Sequence, residues 1–177
     1  MGRAAVFLDR DGTIIEDRGY LSSPSEAVLF PDTVRALRAL QERFALFVVT
    51  NQSGVAKGIT RLEDVERVNA HVVELLAAQG VRIVRLYMCP HQRTDGCGCI
   101  KPNTHFLHEA ERDFGVDLRR SFSVGDHPCD AELAARAGGQ GVFVLTGHGG
   151  EHVHELAAEQ VVVAGIGEAA EWILGRG

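Results

Sequence analysis

Short apolar runs and amphipathic stretches alternate along this chain of 177 residues. The runs "AAVFL" (4–8), "FALFVVT" (44–50), "VRIVRLYM" (81–88), "SFSVG" (121–125) and "GVFVL" (141–145) are short and rich in Val and Phe, which predicts buried strands. Between them, "DTVRALRALQER" sets Val34, Leu37 and Leu40 on one helical face. "TRLEDVERVNAHVVELLAAQG" opens with Thr60 and Glu63 at capping-box spacing and stops at Gly80. "NTHFLHEAERDFG" runs from a candidate Asn103 cap to Gly115, and "PCDAELAARAG" from Pro128 to Gly138. "VVVAGIGEAAEWILG" predicts a last strand and helix, with Trp172 and Ile173 turned to the core. Alternating β and α elements predict an α/β, Rossmann-like three-layer sandwich: a mostly parallel sheet with helices on both faces.

Such sheets bind ligands beyond the carboxyl ends of their strands. Four polar clusters fall at or soon after those ends: Asp9-Arg10-Asp11-Gly12-Thr13, Thr50-Asn51-Gln52, Lys101, and Gly125-Asp126. Two carboxylates two residues apart at a buried strand end divide labour readily, one attacking an electrophile while the other handles a proton. Attack on a phosphate dianion meets like-charge repulsion, so a hard cation is needed. Asp9, Asp126 and the main-chain carbonyl of Asp11 suit Mg²⁺, which takes oxygen ligands and keeps several waters. Thr50 offers a hydroxyl and Lys101 a charge to the phosphoryl oxygens. A calcium loop starting at Asp9 fails as an alternative, because its twelfth position is Tyr20 rather than Glu. Taken singly, Thr50 reads as a turn former, Lys101 as a solvated lysine, and Asp126 and Asp130 as caps of the helix near Pro128. It is the combination on one rim that points to chemistry.

Three of the four cysteines sit in "CPHQRTDGCGCIKP" (89–102). Cys89, His91, Cys97 and Cys99 offer three thiolates and an imidazole, a closed tetrahedral set for a structural Zn²⁺. No C-x-x-C redox spacing is present. Metal two residues before Lys101 would stiffen the loop that carries the lysine, with Pro102 stiffening the far side. Cys129 reads as a small packing residue, and His148, His152 and His154 of "GHGGEHVH" as solvated loop residues. The net charge of -6 argues against a nucleic-acid partner. No apolar run reaches the roughly 20 residues of a membrane span. The opening "MGRAAVFLDRDG" lacks a signal-peptide pattern, and position 6 is Val where myristoylation wants Ser or Thr, so a cytoplasmic location is expected.

"FLDRDGTI", "VVTNQSG", the lysine of "CIKP" and "SVGDHPCD" resemble the four motifs of the haloacid-dehalogenase (HAD) superfamily of phosphohydrolases, over roughly residues 5–150. The resemblance implies Asp9 as nucleophile forming an aspartyl-phosphate, and Asp11 as the acid that protonates the leaving oxygen and then activates water. It implies Thr50 and Lys101 holding the phosphoryl group, and Asp9, Asp11 and Asp126 binding Mg²⁺. One HAD-like domain over 1–177 with the zinc-binding loop at 89–99 is expected and, since no stretch is long enough for a separate cap domain, so is a site open to solvent. Within the superfamily, that loop resembles those of the heptose-bisphosphate phosphatases and the histidinol-phosphatases. "DRGY" (17–20) and "TNQSGVAKG" (50–58) resemble the substrate loops of the heptose branch, which implies Asp17, Gly19, Tyr20, Asn51, Gln52, Ser53 and Ile100 around a small phosphorylated sugar. The zinc-loop phosphatases usually carry Arg before the motif lysine, where this chain has Ile100. The expected reaction is removal of the 7-phosphate from D-glycero-D-manno-heptose 1,7-bisphosphate by a monomer. The short His91–Cys97 spacing also suits a histidinol-phosphatase. Nucleic-acid end phosphatases share the "DxDGT" and "TNQ" signatures, and phospho-receivers gather Asp, Thr and Lys around Mg²⁺, but receivers lack the second Asp and the zinc loop.

Overall fold

A computed structural model describes residues 2–176; the two end residues of the expected 1–177 domain lie outside that range. Strands β1 (Ala5–Leu8), β2 (Ala45–Asn51), β3 (Ile83–Cys89), β4 (Phe122–Gly125), β5 (Gln140–Val144) and β6 (Val161–Val163) form one sheet in the order β3-β2-β1-β4-β5-β6. All five pairings are parallel. Helices α1 (Thr33–Gln41), α2 (Leu62–Ala78), α3 (His105–Phe114), α4 (Pro128–Arg136), α5 (Gly149–His152) and α6 (Ile166–Leu174) connect or flank the strands. The expected Rossmann-like three-layer sandwich is therefore present.

Its layers follow from the period-two pleat. Val6 and Leu8 of β1, with Leu46 and Val48 of β2, point to a core completed by Leu37 of α1, Val72 of α2 and Ile173 of α6. Their neighbours Ala5, Phe7, Phe47 and Val49 point to the opposite core, closed by Leu107 of α3 and Leu133 of α4. Phe7 and Phe47 stack there with centroids 5.2 Å apart. A strand covered on both faces must be apolar at nearly every position, which is why the runs read as continuous rather than alternating.

Two helix starts and one packing position differ from expectation. Thr60 and Glu63 form no capping box: the Thr60 main-chain N–H donates to Gly54 O at 3.2 Å, closing the preceding loop, and α2 begins at Leu62 with extended Arg61 as its cap. Asn103 does not cap α3, because its amide donates to Cys97 O at 3.1 Å and Thr104 takes the cap position. α4 starts at Pro128 as expected, and Asp130 takes part in its cap by accepting the main-chain N–H of His127, the cap residue, at 3.0 Å; Asp126 lies outside the cap. Trp172 is half-buried, its ring edge on Phe122 and the Arg176 guanidinium 4.4 Å above it. Among the described residues no helix is long and apolar enough to cross a membrane.

The strand order reverses between β1 and β4. Chain leaving β1 and chain leaving β4 depart to opposite sides, and a crevice opens where they part.

Candidate active site

Asp9 leaves β1 at that crevice, its main-chain N–H donating to Val124 O of β4 at 2.9 Å. Asp126 leaves β4 and is fully buried. Thr50 lies near the end of β2, and β2 pairs with β3 so that Asn51 stands opposite Cys89. The fourth cluster arrives from the far side of the cysteine loop, where Lys101 Nζ lies 2.5 Å from Asp9 Oδ1 and 2.6 Å from Asp130 Oδ1. The same ammonium donates to Val49 O at 2.8 Å. Lys101 is 4% exposed, so this is a buried charge satisfied by two carboxylates and a carbonyl rather than a solvated lysine.

The turn after Asp9 depends on Gly12. Its φ is +74°, and a Cβ there would run into the Asp126 carboxylate. The close approach lets the two strand ends share one floor. Arg10 and Gln52 hold the Asp11 side chain. Arg10, 0% exposed, donates from Nε and Nη2 to the two carboxylate oxygens at 3.0 Å each, and from Nη1 to Asn69 Oδ1 of α2 at 2.5 Å. Gln52 Nε2 donates to Asp11 Oδ2 at 2.8 Å and to Thr50 Oγ1 at 2.7 Å. Asn51 Oδ1 accepts the Lys101 main-chain N–H at 3.0 Å. Asn51 and Gln52, expected at the substrate, thus also hold the catalytic candidates in place.

A cleft of about 410 Å³ opens over this floor, within the range of small-molecule sites. Asp9, Asp11 and Lys101 reach it, as do Asp17, Gly19, Tyr20, Asn51, Gln52 and Ser53 from the two expected substrate loops. Lys57 joins those loops by donating to Tyr20 Oη at 3.0 Å. Thr50, 1% exposed, lies beneath the cleft surface rather than on it. Ile100 is half-buried and does not line the cleft, whereas Arg93 of the cysteine loop does. His127, Cys129, Asp130 and His148 also line it, none of them expected there as site residues.

His148 is a correction to the expected solvated stretch 148–154. Its main-chain N–H donates to Asp126 Oδ2 at 2.8 Å and its Nε2 pairs with Asp17 Oδ2 at 3.1 Å. His152 and His154 stay outside the cleft, His152 paired with Glu155. Only the fold could reveal His148, since its partners lie on the loops after β1 and β4. Cys129 lines the cleft too, and burial pushes its thiol up to about 12, Asp130 adding to the shift while Lys101 and Arg93 oppose it.

Charge is dense here. Burial raises the Asp9 carboxyl to about 8; Lys101 opposes the rise, and Asp130, Asp126 and Asp11 add to it. Burial works to lower Lys101, but the attraction of Asp130 and Asp9 overrides it and raises the lysine above its ordinary value. The 2.5 Å contact favours the charge-separated pair, carboxylate facing ammonium. The hydrogen bond to Asp126 raises His127 to about 9 against the opposing effect of burial.

The structure gathers the expected Mg²⁺ ligands onto one rim but not into one cluster. Arg10 and Gln52 occupy the Asp11 carboxylate, Lys101 draws that of Asp9, and Asp126 Oδ1 lies 3.0 Å from His127 Nδ1. The ligand atoms that converge within 4.8 Å are those of Asp126, His127 and Asp130. An excess of buried carboxylate over one lysine still fits a hard divalent cation, which needs only one or two protein carboxylates beside its waters.

The second group offers a donor set that suits zinc. The ligand atoms of Cys89, His91, Cys97 and Cys99 all lie within 4.8 Å of one another. Cys97 Sγ stands 3.6 Å from both Cys89 Sγ and Cys99 Sγ, and His91 Nδ1 lies 3.7 Å from Cys89 Sγ and 3.3 Å from Cys99 Sγ, near the edges of about 3.8 Å for a tetrahedron of ~2.3 Å zinc–sulfur bonds, whereas Cys89 Sγ and Cys99 Sγ at 2.9 Å stand closer than those edges. No cysteine is in a disulfide.

Comparison with known proteins gives a consistent picture. A family model described as HAD-hydrolase-like matches residues 98–169. The D-glycero-D-manno-heptose-1,7-bisphosphate 7-phosphatase of Chlorobaculum tepidum is 35% identical over 188 residues, covering 97% of this chain and 94% of the relative. The D-glycero-beta-D-manno-heptose-1,7-bisphosphate 7-phosphatase of Pseudomonas aeruginosa is 37% identical over 84% of this chain and 85% of its own. A crystal structure of the D,D-heptose 1,7-bisphosphate phosphatase from B. bronchiseptica, complexed with magnesium and phosphate, superposes with a TM-score of 0.88 at 30% identity, covering 98% of this chain and 99% of that one.

Proposed function

Because the chain belongs to the HAD-like phosphatase family, we propose that it removes the 7-phosphate from D-glycero-D-manno-heptose 1,7-bisphosphate through an aspartyl-phosphate on Asp9. The observation that carries the mechanism is the convergence of Asp9, Asp11 and Lys101 in one cleft at the reversal of strand order. A carboxylate oxygen of Asp9 bonds to phosphorus as the bond from phosphorus to the sugar oxygen breaks. Asp11, oriented by Arg10 and Gln52, gives its proton to that departing oxygen. It then takes a proton from the water that attacks the acyl phosphate, which releases inorganic phosphate and restores Asp9. Lys101 sets a buried positive charge beside the phosphoryl oxygens, and the Thr50 hydroxyl lies beneath them. Asp9 and Asp126, with the Asp11 main-chain carbonyl, would hold Mg²⁺, which when bound neutralises phosphoryl charge and lets an anionic nucleophile approach.

The test is a panel of phosphate esters assayed with Mg²⁺: both anomers of the heptose bisphosphate, the heptose 7-phosphate, histidinol phosphate and a 3′-phosphorylated oligonucleotide. The expected result is the highest kcat/KM on a heptose bisphosphate. A preference for histidinol phosphate or the oligonucleotide would overturn the substrate assignment and leave the phosphatase chemistry standing.

We also propose that Cys89, His91, Cys97 and Cys99 hold one structural Zn²⁺ that fixes Lys101. The loop is anchored at its start by β3, at Cys97 O by Asn103 and at Lys101 N by Asn51. Among the described residues, none between 90 and 100 belongs to either apolar core, and a small metal site is the usual substitute for a core. Chelation is expected to release about one zinc per chain, as a single four-ligand site requires. It should also lower kcat/KM by about 10–100-fold, the usual effect of disturbing a group that orients a site. Zn²⁺ but not added Mg²⁺ should restore activity, and limited proteolysis should cut the stripped protein between 90 and 100. A zinc-free preparation with unchanged kinetics would refute the positioning role.

A further inference from the structure

The basic side chains on the cleft wall are nearly all committed. Lys101 is held by Asp9 and Asp130, His127 by Asp126, and His148 by Asp17. Arg93 differs: among the described residues its guanidinium has no ion-pair or hydrogen-bond partner, though it lines the cleft. An exposed arginine is usually just solvated, and two features separate this one. Its backbone is fixed, because it opens a short 3₁₀ turn between two candidate zinc ligands. The turn is locked where Asp95 Oδ2 accepts the Gln92 main-chain N–H at 3.0 Å. It also stands where the cleft over Asp9 meets a second cleft of about 380 Å³, the two sharing Arg93, His127 and Cys129. A substrate that extends from Asp9 past Cys129 therefore meets a guanidinium with both donor edges unspent. Ile100, beside Lys101, lines neither cleft.

We propose that Arg93 binds the phosphate that is not cleaved, and so sets the preference for a bisphosphorylated over a monophosphorylated sugar. The inference deepens the heptose-bisphosphate reading and rests on it. A planar guanidinium can meet a phosphate with two parallel charge-assisted hydrogen bonds, which a lysine at the same position cannot reproduce. The contact is remote from the reacting phosphorus and equally present before and during reaction. It should therefore act on KM far more than on kcat.

The experiment measures kcat and KM of wild type, Arg93→Ala and Arg93→Lys on the heptose 1,7-bisphosphate and the heptose 7-phosphate. Zinc content and melting temperature are checked for each variant. Arg93→Ala is expected to lower kcat/KM on the bisphosphate by about 10–30-fold, mostly through KM, and on the monophosphate by less than about two-fold. Arg93→Lys should fall between wild type and Arg93→Ala on the bisphosphate alone. If Arg93→Ala keeps the wild-type preference, or loses both substrates equally, the role of Arg93 is overturned while the proposed function stands. If the wild type itself shows no preference for the bisphosphate, the proposed function fails and this inference fails with it.

Discussion

Asp9→Asn is expected to abolish turnover on every phosphate ester, by at least about 10⁴-fold, the scale seen when a covalent nucleophile is lost. Apart from removing the charge that faces Lys101 and the proposed Mg²⁺, the substitution leaves the surrounding contacts in place. Asparagine has the shape of aspartate, the main-chain bond from residue 9 to Val124 O is untouched, and Lys101 keeps its 2.6 Å contact with Asp130. The circular-dichroism spectrum should be that of wild type, so lost activity cannot be assigned to lost fold. What disappears is the anionic oxygen that bonds phosphorus. A neutral amide oxygen forms no acyl phosphate, whatever the leaving group or metal concentration. Acid quench during turnover should trap a hydroxylamine-sensitive phosphoenzyme in the wild type and none in the variant. Turnover by Asp9→Asn above the stated limit, with deamidation excluded by mass, would remove Asp9 as the nucleophile.

What could be read ahead of the fold was what the local pattern controls. The strands are legible because a sheet covered on both faces forces continuous apolar runs, and the rim because each polar cluster interrupts such a run at its end. Residues that work through partners distant in sequence were not legible. Arg10 carries no role that "DRDG" alone reveals; it is fully buried, and Asn69, 59 residues later on α2, accepts one of its donors. His148 lies in a glycine-rich stretch and touches the site only because the loop after β5 returns over Asp126. Helix starts failed for a related reason. The chain around Thr60 and Asn103 is used by the loops of the site, a tertiary demand that overrides a four-residue cap pattern. Ile100 was placed at the substrate by the Arg that zinc-loop relatives carry before the motif lysine; in the fold Lys101 points down into the floor, and Ile100 lines neither the cleft over Asp9 nor the one beside it.

Asp11→Asn is expected to reduce kcat/KM on the heptose bisphosphate by about 10²–10⁴-fold, the range for losing a group that transfers a proton. The same loss could be imagined for a purely structural Asp11, since both carboxylate oxygens accept from Arg10 and one from Gln52. An amide presents one acceptor and one donor to those partners, so Arg10 would face a clash of donors at one nitrogen. The two accounts part on the leaving group. A sugar alkoxide is a strong base and needs a proton as the bond to phosphorus breaks, whereas a nitrophenolate leaves without one. If Asp11 moves the proton, Asp11→Asn should still transfer phosphate from p-nitrophenyl phosphate to Asp9 at close to the wild-type rate. It should then stall, because the attacking water has lost its base. Stopped-flow should show a burst of about one nitrophenolate per enzyme followed by slow turnover, and quenched samples should contain accumulated phosphoenzyme. If Asp11 merely holds Arg10 and Gln52, the misplaced floor should slow the first step on both esters alike. No burst would then appear, and that result would sink the proton-transfer role of Asp11 while leaving Asp9 as the nucleophile.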